Sequence, residues 1–401
     1  MSDPGGAAWE RWTAMLADLS ERLQHDGFET GFPTDDRGRA EGLRHLARQA
    51  NLALQGELEH ADPAHPRLHR YELPWSQWGA PNPDNVYLRC AIDPAATYVL
   101  RGQVAGMHEA LFSLVEGDMH LEENGVYDEK ALADLDVGED GSLELWIGPA
   151  AGAGDGTRNH PARNHLATEP SARMLLIRQY LYDWASEPVG GFSIERVDTA
   201  GDPAGPLTTV DLAAALDRAT HWVERSIGFW ASYAAATRDL LEHNTFTAPN
   251  TPPGGAPSIA YGGGCWDLGE GEVLLIEHDE PDAHYWNWSI HNLFWFDSGA
   301  WDELSMSCNG HQAHVDTDGR FRLVVAAEDP GVPNWLDTEG RPMGLAVYRY
   351  VWAASKPVPT ATLLRRDDLR DALPAEHPSI DAATRRALLA ERSRAAQRRW
   401  S

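Results

Sequence analysis

Cysteine is scarce in this sequence. Its 401 residues include three, Cys90, Cys265 and Cys308. They are far apart and odd in number, which excludes a disulfide framework and a C-x-x-C metal clip and fits a reducing compartment. Lysine is scarcer still. Lys130 and Lys356 are the only two, so nearly every cation is arginine, the bias of a GC-rich bacterial genome. Cations as a whole are few, 33 Lys and Arg against 61 Asp and Glu, for a net charge of −28. Halophilic adaptation is a second reading of that acidity. Nucleic acids and anionic membrane surfaces require a concentrated positive surface, so neither is an expected partner. No apolar run approaches the roughly 18 residues that span a bilayer. Residues 1–9 carry neither a basic nor an apolar signal region, so the expected location is the cytoplasm.

Nucleotide and nucleophile motifs are missing too. There is no G-x-S-x-G, no P-loop and no G-x-G-x-x-G after a strand. Gly262-Gly-Gly264 reads as a flexible turn, because no Lys or Ser/Thr follows it to hold a phosphate. We therefore expect no cofactor.

What the chain does have is tryptophan, sixteen in all, within an otherwise ordinary balance of 42% apolar and 23% charged residues. The length allows two or three sizeable cores. Residues 1–75 read as a helical region, with Trp9, Trp12, Met15, Leu16, Leu19 and Leu23 at helical spacing. From 76 to 205 short alternating segments separated by turn residues imply a β-rich domain, with Gly148 to His165 as a loop. A long helix follows over 206–248, with Thr208 or Thr209 as N-cap and Asp211 near its positive end. It is expected to cross between two β layers or to break near Gly228. Asn250 to Pro257 is a linker. A second β domain covers 255–355. A helical basic tail over 360–401, rich in arginine, is expected to be solvated or to dock on the chain's own surface. The expected class is α+β: antiparallel β-rich, jelly-roll or sandwich-like domains, a long bridging helix, and helical N- and C-terminal extensions.

The second β domain holds the densest signal. In the expected strand Ala283-His-Tyr-Trp-Asn-Trp-Ser-Ile-His-Asn-Leu-Phe-Trp-Phe296, alternation puts Tyr285, Asn287, Ser289, His291, Leu293 and Trp295 on one face. The other face, with Trp286, Trp288 and Ile290, is the more apolar and should meet the core. The first, mixing aromatics with Asn, Ser and His, suits a pocket wall. Downstream, Asp316-x-Asp-Gly-Arg-Phe-Arg-Leu-Val-Val325 precedes Asp329-Pro-Gly-Val-Pro-Asn-Trp-Leu-Asp-Thr-x-Gly340. On these two motifs, residues 255–352 resemble the family called domain of unknown function 1214. Asn82-Pro-Asp-Asn-x-Tyr87 with Tyr98-x-Leu-x-Gly102, and Leu176-Ile-Arg-Gln-Tyr-x-x-Asp-Trp184 with Ile194-Glu-Arg196, resemble the N-terminal half of its longer members more weakly. The resemblance implies a jelly-roll-like C-terminal domain. It implies no activity and no catalytic residues.

Candidate functional residues therefore rest on residue chemistry. His291 with Asn287, Asn309 and Asp337 is the candidate catalytic set, polar groups in one stretch amid tryptophans that permit general acid–base work. Tyr285, Trp295, Asn334, Trp335 and Arg349 are candidate substrate-binding residues, with Asn334 and Trp335 at a pocket mouth. Arg349 is placed to pair with Asp337 or to meet an anionic group. Asn85, Tyr87 and Arg178 are candidates in the first β domain, Arg178 because a buried charge needs a partner. No metal site is expected. His311 and His314 have opposite strand parity, and His314 with Asp316 makes only an H-x-D pair inside what reads as a β-turn. The expected partner is a bulky, mostly apolar small molecule in an aromatic-lined cleft, turned over by a lyase, hydrolase or isomerase. The alternatives are a carbohydrate- or ligand-binding sandwich module without catalysis, and an assembly protein that buries its aromatic face against a second copy as a homo-oligomer.

Overall fold

The computed structural model of the chain describes residues 3–25, 28, 31–150, 163–252 and 255–400. The chain divides into two compact units. The first comprises Met1–Ser76, Asn85–Leu181 and Pro188–Trp230, the second Gln77–Asp84, Tyr182–Glu187 and Ala231–Ser401. The architecture is an α+β mix of mostly antiparallel sheets. Among the described residues, no helix is long and apolar enough to cross a membrane.

The first unit opens with helix α1 (Pro4–His25), which buries Ala8, Trp12, Met15, Leu19 and Leu23 along one stripe. Helix α2 (Asp36–Leu54) starts at Asp35, whose carboxylate accepts the amide N–H of Gly38 at 2.7 Å, an N-cap that satisfies one orphan donor. Nine strands follow: β1 (His69–Arg70), β2 (Asn85–Ala91), β3 (Tyr98–Gln103), β4 (Glu109–Val115), β5 (Val126–Ala131), β6 (Ser142–Gly148), β7 (His165–Ala167), β8 (Met174–Tyr180) and β9 (Gly191–Arg196). They form two sheets, ordered β1-β2-β8-β4-β5 and β7-β6-β3-β9. Apolar residues of both sheets, among them Cys90, Leu100, Phe112, Leu145, Leu175 and Ile177, make one buried cluster, as in a sandwich. Phe112 on β4 meets Phe192 on β9 edge-on at 5.8 Å. Complete burial of a side chain such as Phe112 contributes about 1.5–3 kcal/mol. Most of the expected loop at 148–165 lies outside the described residues.

Helix α3 (Thr209–Leu240) runs 32 residues without a break at Gly228. Thr208 caps it reciprocally: its hydroxyl accepts the Asp211 N–H at 3.2 Å, while the Asp211 carboxylate accepts the Thr208 N–H at 3.1 Å. Buried Leu216, Ala219, Trp222, Val223, Ile227 and Trp230 carry the apolar stripe through the glycine.

The second unit has eight strands: β10 (Ile259–Asp267), β11 (Glu272–Asp279), β12 (Ala283–His291), β13 (Ser307–Asn309), β14 (Arg320–Ala326), β15 (Trp335–Asp337), β16 (Met343–Ala353) and β17 (Thr360–Arg365). Their sheets are ordered β10-β16-β12-β13 and β15-β14-β11-β17. Aromatic rings fill the space between these sheets. Trp286 of β12 stacks on Phe321 of β14 at 4.4 Å, and Phe321 stacks on His278 of β11 at 4.9 Å. Trp288 stacks on Tyr348 of β16 at 4.7 Å. The alternation argument for β12 holds for Trp286 and Trp288, but its polar face is buried as well, with Tyr285, Asn287, Ser289 and His291 all enclosed.

Residues 360–365 are a strand rather than the start of a helical tail. They pair with the open edge of β11 over six residues, and the backbone hydrogen bonds gained there override local helical pattern. Helix α4 (Leu369–Ala372) is a single turn whose Leu369 packs with Leu275, Val324 and Trp335. Helix α5 (Ala382–Gln397) is capped by Asp381, whose carboxylate accepts the Thr384 N–H at 2.7 Å.

Candidate functional site

The second unit contains a cavity of about 340 Å³, within the range of small-molecule sites. Four pieces of chain wall it. Segment 182–187 gives Asp183 and Trp184. The turn after β13 gives His311 and Gln312, beside Ser307 and Cys308 of the strand. The loop into β15 gives Asn334 and Trp335, and α5 gives Arg385, Leu388, Leu389 and Arg392.

The turn after β13 is set by Asn309. Its side-chain oxygen accepts the N–H groups of His311 at 3.1 Å and Gln312 at 3.0 Å, while its amide donates to the Tyr182 carbonyl at 3.0 Å. Gly310 must lack a side chain, because a Cβ would collide with the Tyr182 hydroxyl and the Trp286 indole. His311 is thereby held 3.6 Å from the Asp183 carboxylate. Asn334 adopts φ 54°, left-handed backbone that asparagine tolerates. Its side chain accepts the His314 N–H at 2.8 Å and donates to the carbonyls of His314 at 2.8 Å and Arg322 at 3.0 Å.

On α5, Arg385 and Arg392 lie seven residues apart and share a face, and Arg399 continues the series just past the helix end. Arg385 pairs with Asp329 at 3.0 Å and lies over Trp335 at 5.2 Å. Arg392 donates to the Trp301 carbonyl at 2.6 Å and the Ser307 hydroxyl at 2.7 Å, and lies over Trp184 at 4.2 Å. Among the described residues, no carboxylate lies within ion-pair distance of Arg392. Burial pulls its guanidinium down to about 10, against the weaker fields of Asp84, Cys308 and Asp302. Arg392 is half-buried and lines the cavity. Cys308, also in the wall, has its thiol pushed up to about 12 by burial, so it is a poor nucleophile.

Trp184 links the cavity to an enclosed polar cluster. Its indole N–H donates to the Asp84 carboxylate at 2.7 Å, and the Tyr285 hydroxyl donates to the other oxygen of Asp84. Asn82 donates to the Tyr285 hydroxyl at 2.9 Å and accepts from Asn287 at 2.7 Å. Arg399 packs over Trp184 at 3.8 Å and donates to the Pro83 carbonyl at 2.5 Å. Burial raises the Asp84 carboxyl, outweighing the hydrogen bonds from Tyr285 and Trp184 and the field of Arg399.

Of the residues singled out from sequence, Asn334 and Trp335 line the cavity. Asn309 shapes its wall from behind, and Tyr285 and Asn287 belong to the enclosed cluster. His291 is elsewhere in the unit. Its ring nitrogens meet the hydroxyls of Ser289 and Ser298, each at 2.9 Å, and burial, with the Arg349 charge adding, drives its pKa well below the ordinary value. Arg349 does not pair with Asp337. It donates to the Ser289 hydroxyl at 3.0 Å and the Ala80 carbonyl at 2.8 Å. Asp337 accepts the Glu339 N–H at 2.8 Å, closing a turn in which Glu339 and Gly340 both have positive φ. Trp295 is buried outside the cavity lining. Asn85, Tyr87 and Arg178 belong to the first unit, on the paired strands β2 and β8. The sequence reading treated the C-terminal arginines as a basic tail and missed Arg392 and Trp184. The seven-residue spacing of Arg385, Arg392 and Arg399 was the signal available.

No family model and no curated protein matches the chain. Among solved structures it is similar to an uncharacterised protein from Burkholderia cenocepacia, with 29% identity over 90% of this chain and 98% of that one and a TM-score of 0.80. The two share their fold over nearly the whole length. The VPA0106 protein from Vibrio parahaemolyticus aligns over 80% of this chain and 99% of its own at 12% identity, with a TM-score of 0.44. That likeness is too low to bear on fold.

Proposed function

We propose that the second unit binds a small molecule with an apolar or aromatic body and an anionic group, a carboxylate or a phosphate. The supporting observation is Arg392, a guanidinium in a cavity wall with no carboxylate partner among the described residues. A half-buried cation with no paired carboxylate carries a desolvation cost, and a ligand anion would offset it. The apolar lining, Trp184, Trp335, Leu388 and Leu389, provides for the ligand's body, and Gln312 and Ser305 supply further polar contacts. The likeness of residues 255–352 to the domain of unknown function 1214 belongs to this proposal as its family expectation and adds no reaction.

A second reading extends the first. His311 beside Asp183 in the cavity wall is an acid–base pair of the kind a lyase, hydrolase or isomerase uses on a bound substrate. It displaces His291 from the role expected of it, because both ring nitrogens of His291 are occupied and the ring is held neutral.

Thermal-shift measurements with matched probes test the binding reading. Phenylacetate, benzoate, hexanoate and phenyl phosphate are compared with phenylacetamide and benzamide. The acids should raise the melting temperature where their neutral counterparts do not, and the phosphate arm separates the two anion classes. Equal shifts from acids and amides, or no shift from any probe, would contradict the proposal.

A further inference from the structure

We propose that His314, Asp316 and His377 form a binding site for one divalent transition-metal ion with the ligand preferences of Zn²⁺. His314 and Asp316 lie two residues apart, His377 joins them from 61 residues downstream of Asp316, and one donor atom from each lies within 4.8 Å of the others. Nε2 of His314 is 3.2 Å from Oδ1 of Asp316. Nδ1 of His377 is 2.9 Å from the same oxygen and 3.1 Å from Oδ2. An ion held by nitrogen and oxygen at about 2.1 Å sets its ligands about 3.0 to 3.4 Å apart, so these spacings already match the edges of a coordination polyhedron. Two imidazoles and one carboxylate are a donor set that zinc and the neighbouring first-row metals accept, with open positions left over.

The surroundings support this use of the residues. Arg322 donates to Oδ2 of Asp316 at 2.6 Å, which orients the carboxylate and leaves Oδ1 to the imidazoles, the kind of outer contact that tunes metal ligands. Asn334 grips the backbone of His314 through both amide atoms. The charge balance favours a cation even beside Arg322. Asp318 pairs with Arg322 at 2.7 Å, Glu277 pairs with Arg322 at 3.1 Å, and Asp279 pairs with Arg320 at 3.0 Å. Glu376 is joined to Thr317 at 2.8 Å. With Asp316 these make five carboxylates against three guanidiniums, the third being Arg370, which donates to the His377 carbonyl at 2.8 Å. His377 and Asp316 are enclosed. The His314 side chain keeps 37% of its surface exposed, which gives an ion a way in. The strand-parity argument sees only His314 and Asp316, because His377 arrives from 61 residues downstream of Asp316.

The test uses the full chain, stripped with a chelator and dialysed. Zn²⁺ binding is followed by calorimetry and elemental analysis, and Co²⁺ binding by its visible absorption. One equivalent per chain should bind. His314→Ala, at a partly exposed position, should weaken Zn²⁺ binding at least about tenfold with unchanged circular dichroism. His377→Ala should do the same, and if that variant fails to fold, His314→Gln carries the test. Uptake well below one equivalent by the wild type would overturn the proposal. So would one-equivalent uptake that His314→Ala leaves unchanged, because the ion would then be bound elsewhere.

Discussion

The two sandwiches in this chain solve the same packing problem with different chemistry. In the first unit the space between sheets is filled by Leu, Ile, Val and Phe, with few polar groups to satisfy. In the second it is filled by Trp, Tyr, Phe and a histidine, and Asp84, Asn82, Asn287 and Arg399 are buried alongside. Aliphatic packing specifies a shape through volume alone. A core of aromatics with polar handles must also satisfy every hydroxyl, indole and carboxylate, which fixes orientation as well as volume. The candidate site belongs to the second unit and joins its buried polar cluster through Trp184, whose indole donates to Asp84. In the first unit, buried Asp118 is closed off by Arg89 at 3.1 Å and Trp222 at 2.8 Å, so that charge is already satisfied within the fold.

Acid should erase the difference. His69 and His120 in the first unit have pKa values lowered to about 2 and about 4, His278 in the second to about 4, and His291 well below the usual value, each chiefly by burial. Below about pH 6.5 the unfolded chain takes up protons that these folded rings refuse, so stability falls with falling pH, by up to about 1.4 kcal/mol per pH unit per ring. Denaturant melts between pH 7 and 4.5 should show the loss. A flat profile would mean that the rings are protonated in the folded state.

Truncation comes next in size. Phe112→Ala in the aliphatic core and Trp286→Ala in the aromatic core should each cost about 3–5 kcal/mol in denaturant midpoint analysis. Tyr285→Phe removes no volume to speak of, yet should cost about 1–3 kcal/mol, because Asp84 loses a donor it cannot replace. A neutral result there would mean that the polar cluster contributes nothing beyond packing. Asn309→Ala should cost about 1–3 kcal/mol, because the Tyr182 carbonyl and the His311 and Gln312 amides lose a buried partner, and should release the turn that presents His311, a loss visible as weaker probe binding.

Much of the fold is legible in the sequence, because strands with clear alternation and turn punctuation announce themselves. β4, β6, β8, β9 and β11 fall where the pattern puts them, while β12 starts where expected and ends at His291, five residues short of Phe296. β17 does not, because its state is decided by the open edge of β11 rather than by its own residues. The site is less legible for the same reason. Asn334 and Trp335 stand out through the proline and glycine around them. Trp184 closes a weak family motif and Arg392 sits in an arginine-rich tail, and both acquire a site role only when segment 182–187 and α5 meet β13. Asp84 looks like a turn residue until Tyr285 and Trp184 are seen to enclose it.

The central claim is that Arg392 is a cation held ready for a ligand anion. Calorimetric titration of the wild type and Arg392→Met with phenylacetate tests it most directly, alongside the melting temperature of each free protein. Losing the charge-assisted contact, about 1.5–3 kcal/mol, should weaken binding roughly 10- to 100-fold, while the free variant stays folded, the lost hydrogen bonds to Trp301 and Ser307 being partly offset by removal of a charge that has no paired carboxylate. Equal affinity in the two proteins would contradict the account, as would a variant that unfolds for want of a guanidinium the fold itself requires.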